Sequence, residues 1–154
     1  MNKAPDDSNL DATQNLKLKT QIFIEVSAGL VFRAGKILIT RRYANAHLGG
    51  LWEFPGGKRE RDESDEECLR RELREELGIE VEVQELTESL RHDYPKKSVH
   101  LKFFRCVLLK NEPAPLGCEA IAWVNAAQLA QYSFPEADSK LLEKLRASPQ
   151  MWDS

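Results

Sequence analysis

Glu72, Glu75 and Glu76 are spaced so that they could do chemistry together. On a helix advancing ~100° per residue they fall within about a third of the circumference. Like charges so placed repel, by ~0.2–0.5 kcal/mol per pair on an exposed face, and a divalent cation would remove that repulsion. Clustered carboxylates are hard oxygen donors that suit Mg²⁺ or Mn²⁺, and Mg²⁺ typically shares its shell with waters and substrate phosphates. Upstream, Phe54-Pro55-Gly56-Gly57-Lys58 is a glycine-containing loop able to bring backbone NH groups and a lysine close to an anion. Loop and carboxylates together suggest a phosphate and metal site. The bland alternative is a solvated helix face, with Arg70, Arg71 and Arg74 paired to neighbouring acids and an ordinary turn before it.

The elements that must position these residues can be read from punctuation and periodicity. Ser64 followed by Glu67 makes a capping box, and Gly78 stands where a helix C-cap belongs, so a helix is predicted over 65–77. Leu69, Leu73 and Leu77 recur at i, i+4 and i+8, an apolar stripe that would bury against a sheet and orient the glutamate face. Before the helix, the β-branched and apolar runs 21–32 and 36–40 flank Arg33-Ala34-Gly35, a pattern expected to form a hairpin with a three-residue connection. Strands are also predicted over 79–83 and 99–109, with a short one at 120–124. Pro135 opens a second helix, 136–146, with Leu141, Leu142 and Leu145 on its apolar side. The class is mixed α/β.

Composition bounds the rest. The 154 residues, 42% hydrophobic and 31% charged, suffice for one globular domain and exclude a fully disordered chain. Residues 1–19 read as a flexible polar tail and 20–150 as the single domain. No apolar run approaches the ~20 residues a membrane helix needs, and residues 1–20 hold no apolar signal core, so a cytoplasmic location is expected. Three cysteines without C-x-x-C spacing suggest neither a disulfide frame nor a zinc knuckle. A net charge of -3 argues against a protein that wraps long nucleic acid.

Gly57, five residues, Glu63, seven residues, then Arg71-Glu72-Leu73-Arg74-Glu75-Glu76-Leu77-Gly78-Ile79 resembles the Nudix box, G-x5-E-x7-R-E-U-x-E-E-x-G-U with U a bulky aliphatic, at every fixed position. The likeness extends to Ile39-Thr40-Arg41-Arg42, to 51–58 and to Phe134-Pro135-Glu136-Ala137-Asp138, which look like MutT-type and CTP pyrophosphohydrolase members. It implies an α/β/α sandwich around a mixed sheet and hydrolysis of a nucleoside diphosphate linked to another group. By the same resemblance Glu72, Glu75 and Glu76 are metal ligands, completed by the Gly57 carbonyl. Glu63 supports the site, and Arg71 orients the glutamates by ion pairing. A divalent ion there would neutralise polyphosphate charge and lower the pKa of a water for in-line attack. The base that takes the proton is open among Glu72, Glu75 and a loop carboxylate. One position departs: MutT-like relatives often carry a further Glu where this chain has Gly117. Glu119 is either its substitute or a surface residue.

The resemblance also offers Arg42 and Lys58 for phosphate contacts. Phe54 and Phe134 are candidates to pack against a base, or simply core aromatics. Asp138 stands where relatives specific for oxidised guanine carry Asn and CTP-type relatives carry Asp; an ionised Asp only accepts hydrogen bonds, whereas Asn also donates. The leading expectation is a Mg²⁺-dependent, Mn²⁺-tolerant pyrophosphohydrolase that releases a nucleoside monophosphate and pyrophosphate from a (d)NTP, in MutT-like sanitation of the nucleotide pool. The alternatives are a pyrophosphohydrolase of 5′-triphosphate RNA and a non-catalytic nucleotide-binding regulator. No membrane partner is expected, and a homodimer is left open.

Overall fold

The computed structural model describes residues 21–153, so the expected tail at 1–19 lies outside the described residues. Seven strands, β1 (Ile22–Arg33), β2 (Lys36–Arg41), β3 (Trp52–Glu53), β4 (Gly56–Lys58), β5 (Glu80–Asp93), β6 (Lys97–Lys110) and β7 (Ala120–Val124), form one sheet. Its helices are α1 (Asp65–Leu77), α2 (Ala126–Leu129) and α3 (Ser139–Ala147), with 3₁₀ turns over Glu136–Asp138 and Pro149–Trp152. The order β3-β2-β1-β6-β5 is mixed: β1 runs parallel to β6 from Ile22 to Val31, while the other pairings are antiparallel. β4 pairs with β1 at Val26–Ala28, and β7 pairs with β2.

Side chains alternate across a strand, so β1 feeds two cores. Val31, with Leu38 of β2, packs beneath Leu69, Leu73 and Leu77 of α1. On the other face Leu30, Phe32, Ile37 and Ile39 pack with Phe54, Phe103, Leu141, Leu145 and Trp152. The expected α/β/α sandwich is therefore the fold, with α1 on one face and α3 on the other.

α1 runs over the predicted span because local chemistry closes both ends. Ser64 Oγ accepts from the Glu67 amide at 3.0 Å, and Glu67 Oε1 accepts from the Ser64 amide at 2.8 Å. Such a cap contributes ~1 kcal/mol. Gly78 ends the helix at φ 71°, where its lack of a Cβ removes the left-handed penalty.

Other boundaries differ from expectation. The first hairpin closes with two residues, not three: Ala34 and Gly35 both have positive φ, 51° and 75°, the geometry of a tight turn that matches strand twist, and Arg33 stays in the ladder opposite Lys36. β5 does not stop at Val83. It continues to Asp93 through register shifts at Val83/Leu86 and Leu86/Glu88, and each shift breaks the period of two on which the sequence reading relied. β3, β4 and α2 are too short to show periodicity, and β4 is a strand where the glycine pair suggests a loop. The second helix begins as a 3₁₀ turn at Glu136–Asp138 before α3. No helix among the described residues is long and apolar enough to cross a membrane.

Leu73 is fully buried between α1 and β1. Leu73→Ala should lower unfolding free energy by ~2–5 kcal/mol in urea titration, through lost transfer energy and the cavity left behind. A cost below ~1 kcal/mol would show that the helix is not clamped by this stripe.

Candidate active site

The glutamate face of α1 meets β4 with nothing in between. At Gly56 a Cβ would strike the backbone of Ser27, and at Gly57 it would enter the Glu72 carboxyl group. Two glycines in succession are thus the condition for a strand to lie between β1 and the carboxylates.

Arg71 organises the acids around this seam. Its Nε and Nη2 grip Glu63 at 3.0 and 2.6 Å, Nη2 also reaches the Lys58 carbonyl at 3.1 Å, and Nη1 holds Glu72 at 2.9 Å and Glu75 at 3.3 Å. The two-pronged bond from Arg71, helped by the Glu60 amide, holds the Glu63 carboxyl down at about 2. The same partners push the Arg71 guanidinium above its ordinary range, Glu63 foremost.

The inner carboxylates experience the opposite field. Burial, then the charges of Glu72 and Glu53, push Glu76 up to about 8. Glu53 is raised by burial even though Arg42 Nη1 bonds it at 3.0 and 3.3 Å. Beneath them lie two thiols. Cys68 Sγ donates to the Gly57 carbonyl at 3.5 Å, and burial plus the Glu63 charge push it up to about 11. Burial and Glu76 do the same to Cys118. A thiol so protected is no nucleophile at neutral pH.

Beside this cluster opens a cavity of about 240 Å³, lined by Arg42, Glu53, Phe54, Gly57, Lys58 and Asp138 among others. That is smaller than the ~300–1,000 Å³ of sites for drug-sized ligands, and nearer the size of a planar ring than of a whole nucleotide. Asp138, 6% exposed, is pushed up to about 7 by burial and then by the Glu53 charge.

Of the residues singled out by sequence, Arg42, Phe54, Gly57, Lys58 and Asp138 meet at this cavity, and Glu63, Arg71, Glu72 and Glu76 meet along its α1 border. Glu75 reaches the same Arg71 from the outer edge, its side chain 60% exposed. Phe134 does not line the cavity; it stacks behind Phe54 with ring centroids 5.2 Å apart. The Gly117 amide donates to the Glu76 carbonyl at 3.0 Å, and a Cβ there would stand 3.2 Å from Glu76 Cγ. Glu119 is exposed and extends the β2–β7 pairing through its amide to the Arg41 carbonyl. Sequence reasoning passed over Glu53, which bonds Arg42 and lies in the field of both Glu76 and Asp138. An acid between Trp52 and Phe54 in an otherwise apolar stretch was the available signal.

Among the described residues no three Asp, Glu, His or Cys side chains already converge on one point as a metal-holding group. The donor set nonetheless fits a hard divalent cation. Glu72, Glu76 and Glu53 share a partly buried seam in which burial first, and then the charges of Glu72 and Glu53, raise the Glu76 pKa, and they offer only oxygen donors.

A model of the NUDIX domain matches residues 27–144. The chain is 40% identical over 124 residues to the CTP pyrophosphohydrolase of Escherichia coli K12, covering 80% of this chain and 92% of that protein. It is also 40% identical over 90 residues to the 8-oxo-dGTP diphosphatase of Proteus vulgaris, covering 58% of this chain and 80% of the relative. The solution structure of the E. coli ORF135 protein superposes with a TM-score of 0.73 at 37% identity, covering 84% of this chain and 93% of the other. The chain belongs to the NUDIX domain family. By that membership it is a hydrolase acting on phosphoric anhydrides. Hydrolases of this family are generally dependent on a divalent cation.

The Asp138 environment carries a pH signature. Its folded pKa, about 7, lies above the ordinary 3.8, so between those values the native state keeps a proton that the unfolded chain has released. Native stability should fall as pH rises through that window, with the full penalty present above it. Asp138→Asn should remove this part of the slope and be more stable than wild type at pH 8, by up to roughly 4 kcal/mol at ~1.4 kcal/mol per pK unit. Urea titrations at pH 5 and pH 8 measure it. An unchanged pH dependence would mean that Asp138 is not buried as a neutral acid.

Proposed function

We propose that this protein hydrolyses (d)NTPs to the (d)NMP and pyrophosphate with Mg²⁺ as its cation, as its relatives' names suggest for oxidised dGTP or CTP. One observation carries the reading: a ring-sized cavity with a buried hydrogen-bonding acid opens directly onto a carboxylate seam flanked by Arg42 and Lys58. A base fits the cavity, and the polyphosphate then lies along the seam. When bound, a divalent cation supplies positive charge against the phosphate oxygens and polarises the attacking water.

The chain's own residues do the rest. Glu72 and Glu76, with Glu75 from the outer edge and the Gly57 carbonyl, are the proposed cation holders. Arg71, anchored on Glu63 and the Lys58 carbonyl, holds Glu72 until the cation takes it. Arg42 and Lys58 bind phosphate oxygens, as a two-pronged fork and a mobile point charge respectively. Phe54 supplies an apolar wall, held by Phe134 stacked behind it and Phe103 edge-on at 6.1 Å. Asp138, uncharged below about pH 7, both donates and accepts and so behaves toward a base much as Asn would. Its identity therefore discriminates less between purine and pyrimidine than its ionised form suggests. RNA bearing a 5′-triphosphate is a second reading, supported by Tyr94 and Lys97 on the cavity lining, with the ammonium 5.2 Å from the ring centroid.

Incubation with Mg²⁺ and a panel of (d)NTPs, oxidised dGTP, CTP, nucleotide sugars and 5′-triphosphate RNA, followed by product identification, tests the proposal. A monophosphate plus pyrophosphate from a (d)NTP is expected; no turnover of any member would leave a binding protein instead. Glu76→Gln should keep the native circular dichroism spectrum and lower kcat by at least ~100-fold, the scale of losing a group that stabilises transition-state charge. Near-normal turnover by that variant would refute the cation assignment.

A further inference from the structure

Two hydroxyls are sealed beneath α1 without a partner. Ser27 is 1% exposed and Thr40 is fully buried, and neither Ser27 Oγ nor Thr40 Oγ1 makes a hydrogen bond among the described residues. Buried hydroxyls are almost always bonded, so an orphan calls for an explanation.

Register shows what each hydroxyl faces. Ser27, Gly29 and Val31 share the α1 side of β1: a Cβ on Gly29 would touch Leu73, and Val31 belongs to the core under α1. Directly across from Ser27 stands Gly57, whose absent side chain points into the Glu72 carboxyl group. Facing residues of an antiparallel pair have Cβ positions ~4.5–5.5 Å apart, so the Ser27 hydroxyl borders the space where the Glu72 carboxylate lies. Thr40 repeats the relation. It lies on the α1 side of β2 with Leu38, between Ile121 on one neighbour and Glu53 on the other.

Each orphan is therefore one strand spacing from a site carboxylate or from the glycine that carboxylate abuts. Both carboxylates are turned to arginines, Glu72 to Arg71 and Glu53 to Arg42. An arginine orients a carboxylate and cancels its charge, whereas a hydroxyl donates one bond and leaves the charge intact. We propose that Ser27 and Thr40 are positioning residues, whose hydroxyls take up Glu72 and Glu53 when these carboxylates turn from Arg71 and Arg42 as cation and phosphate bind. Ser27 then fixes one oxygen of Glu72 and leaves the other for the cation. Thr40 holds Glu53 while Arg42 reaches a phosphate. The inference rests on the proposed cation and phosphate site.

Ser27→Ala and Thr40→Val each delete a hydroxyl with little change of shape. In the full chain, three quantities separate the outcomes: melting temperature of the metal-free protein, Mn²⁺ affinity without nucleotide by electron paramagnetic resonance, and kcat and KM with the (d)NTP turned over. Metal-free stability should stay level or rise, because an orphaned buried group is removed. Ser27→Ala should weaken Mn²⁺ binding and lower kcat by about tenfold each, the worth of one hydrogen bond to a charged group, with KM unchanged. Thr40→Val should raise KM for the nucleotide and leave Mn²⁺ affinity as in wild type. Wild-type Mn²⁺ affinity and kcat in Ser27→Ala, with wild-type KM in Thr40→Val, would overturn the proposal. A lowered metal-free melting temperature in both variants would also overturn it, by showing that the hydroxyls are already engaged in the resting fold. A wild-type protein that binds no Mn²⁺ would refute the cation site itself, a result distinct from normal binding with unaffected variants.

Discussion

The close approach of α1 to β4 is the constraint on which the rest of the molecule depends. A helix bearing clustered carboxylates can face a sheet only if the strand beneath offers no side chain to collide with them; Gly57 meets that condition, and Gly56 lets β4 approach the backbone of β1. The Leu69, Leu73 and Leu77 stripe then sets the depth of the helix, since all three are fully buried. Hydrophobic burial thereby fixes the position of groups that would rather stand apart in water. This conversion of non-directional burial into fixed charge geometry is what makes the seam a candidate site.

Charge in the seam is divided into two zones. On the outside Arg71 is saturated with acids, and Glu63 is held fully ionised by it. On the inside Glu53 is raised by burial, and Glu76 by burial and then by the charges of Glu72 and Glu53, so the fold retains electrostatic tension where a cation would relieve it. Arg42 sits at the boundary, bonded to Glu53 and to the His47 carbonyl while lining the cavity. Behind the cavity, Phe134, Phe54 and Phe103 pack through edge and stacked ring contacts onto the core that includes Leu141 and Leu145 of α3.

Legibility followed the range of the interactions. α1 could be read from end to end because its start, stop and buried stripe are encoded within fifteen residues, by Ser64, Glu67, Gly78 and three leucines. β5 was cut short because its bulges depend on pairing with β6 and leave no periodic trace. The Phe54–Lys58 stretch read as loop because two glycines have low strand propensity, yet β1 recruits Gly56–Lys58 into the sheet. Phe134 could be marked as an aromatic of interest, but its stacking on Phe54 off the cavity lining depends on tertiary packing.

By itself the sequence determined the chemistry available: carboxylates on one helical face, a glycine pair before them, cations at Arg42 and Lys58, and the mixed α/β class. Those follow from residue types and from spacings within a few helical turns, where geometry is nearly independent of the remaining chain. Tertiary structure alone decided that Glu53 enters the acid seam, that Asp138 is buried enough to stay protonated near neutrality, and that Ser27 and Thr40 lie under α1 without partners. Each of those properties arises from desolvation and cross-strand register between segments far apart in the chain, and none exists until the sheet has closed.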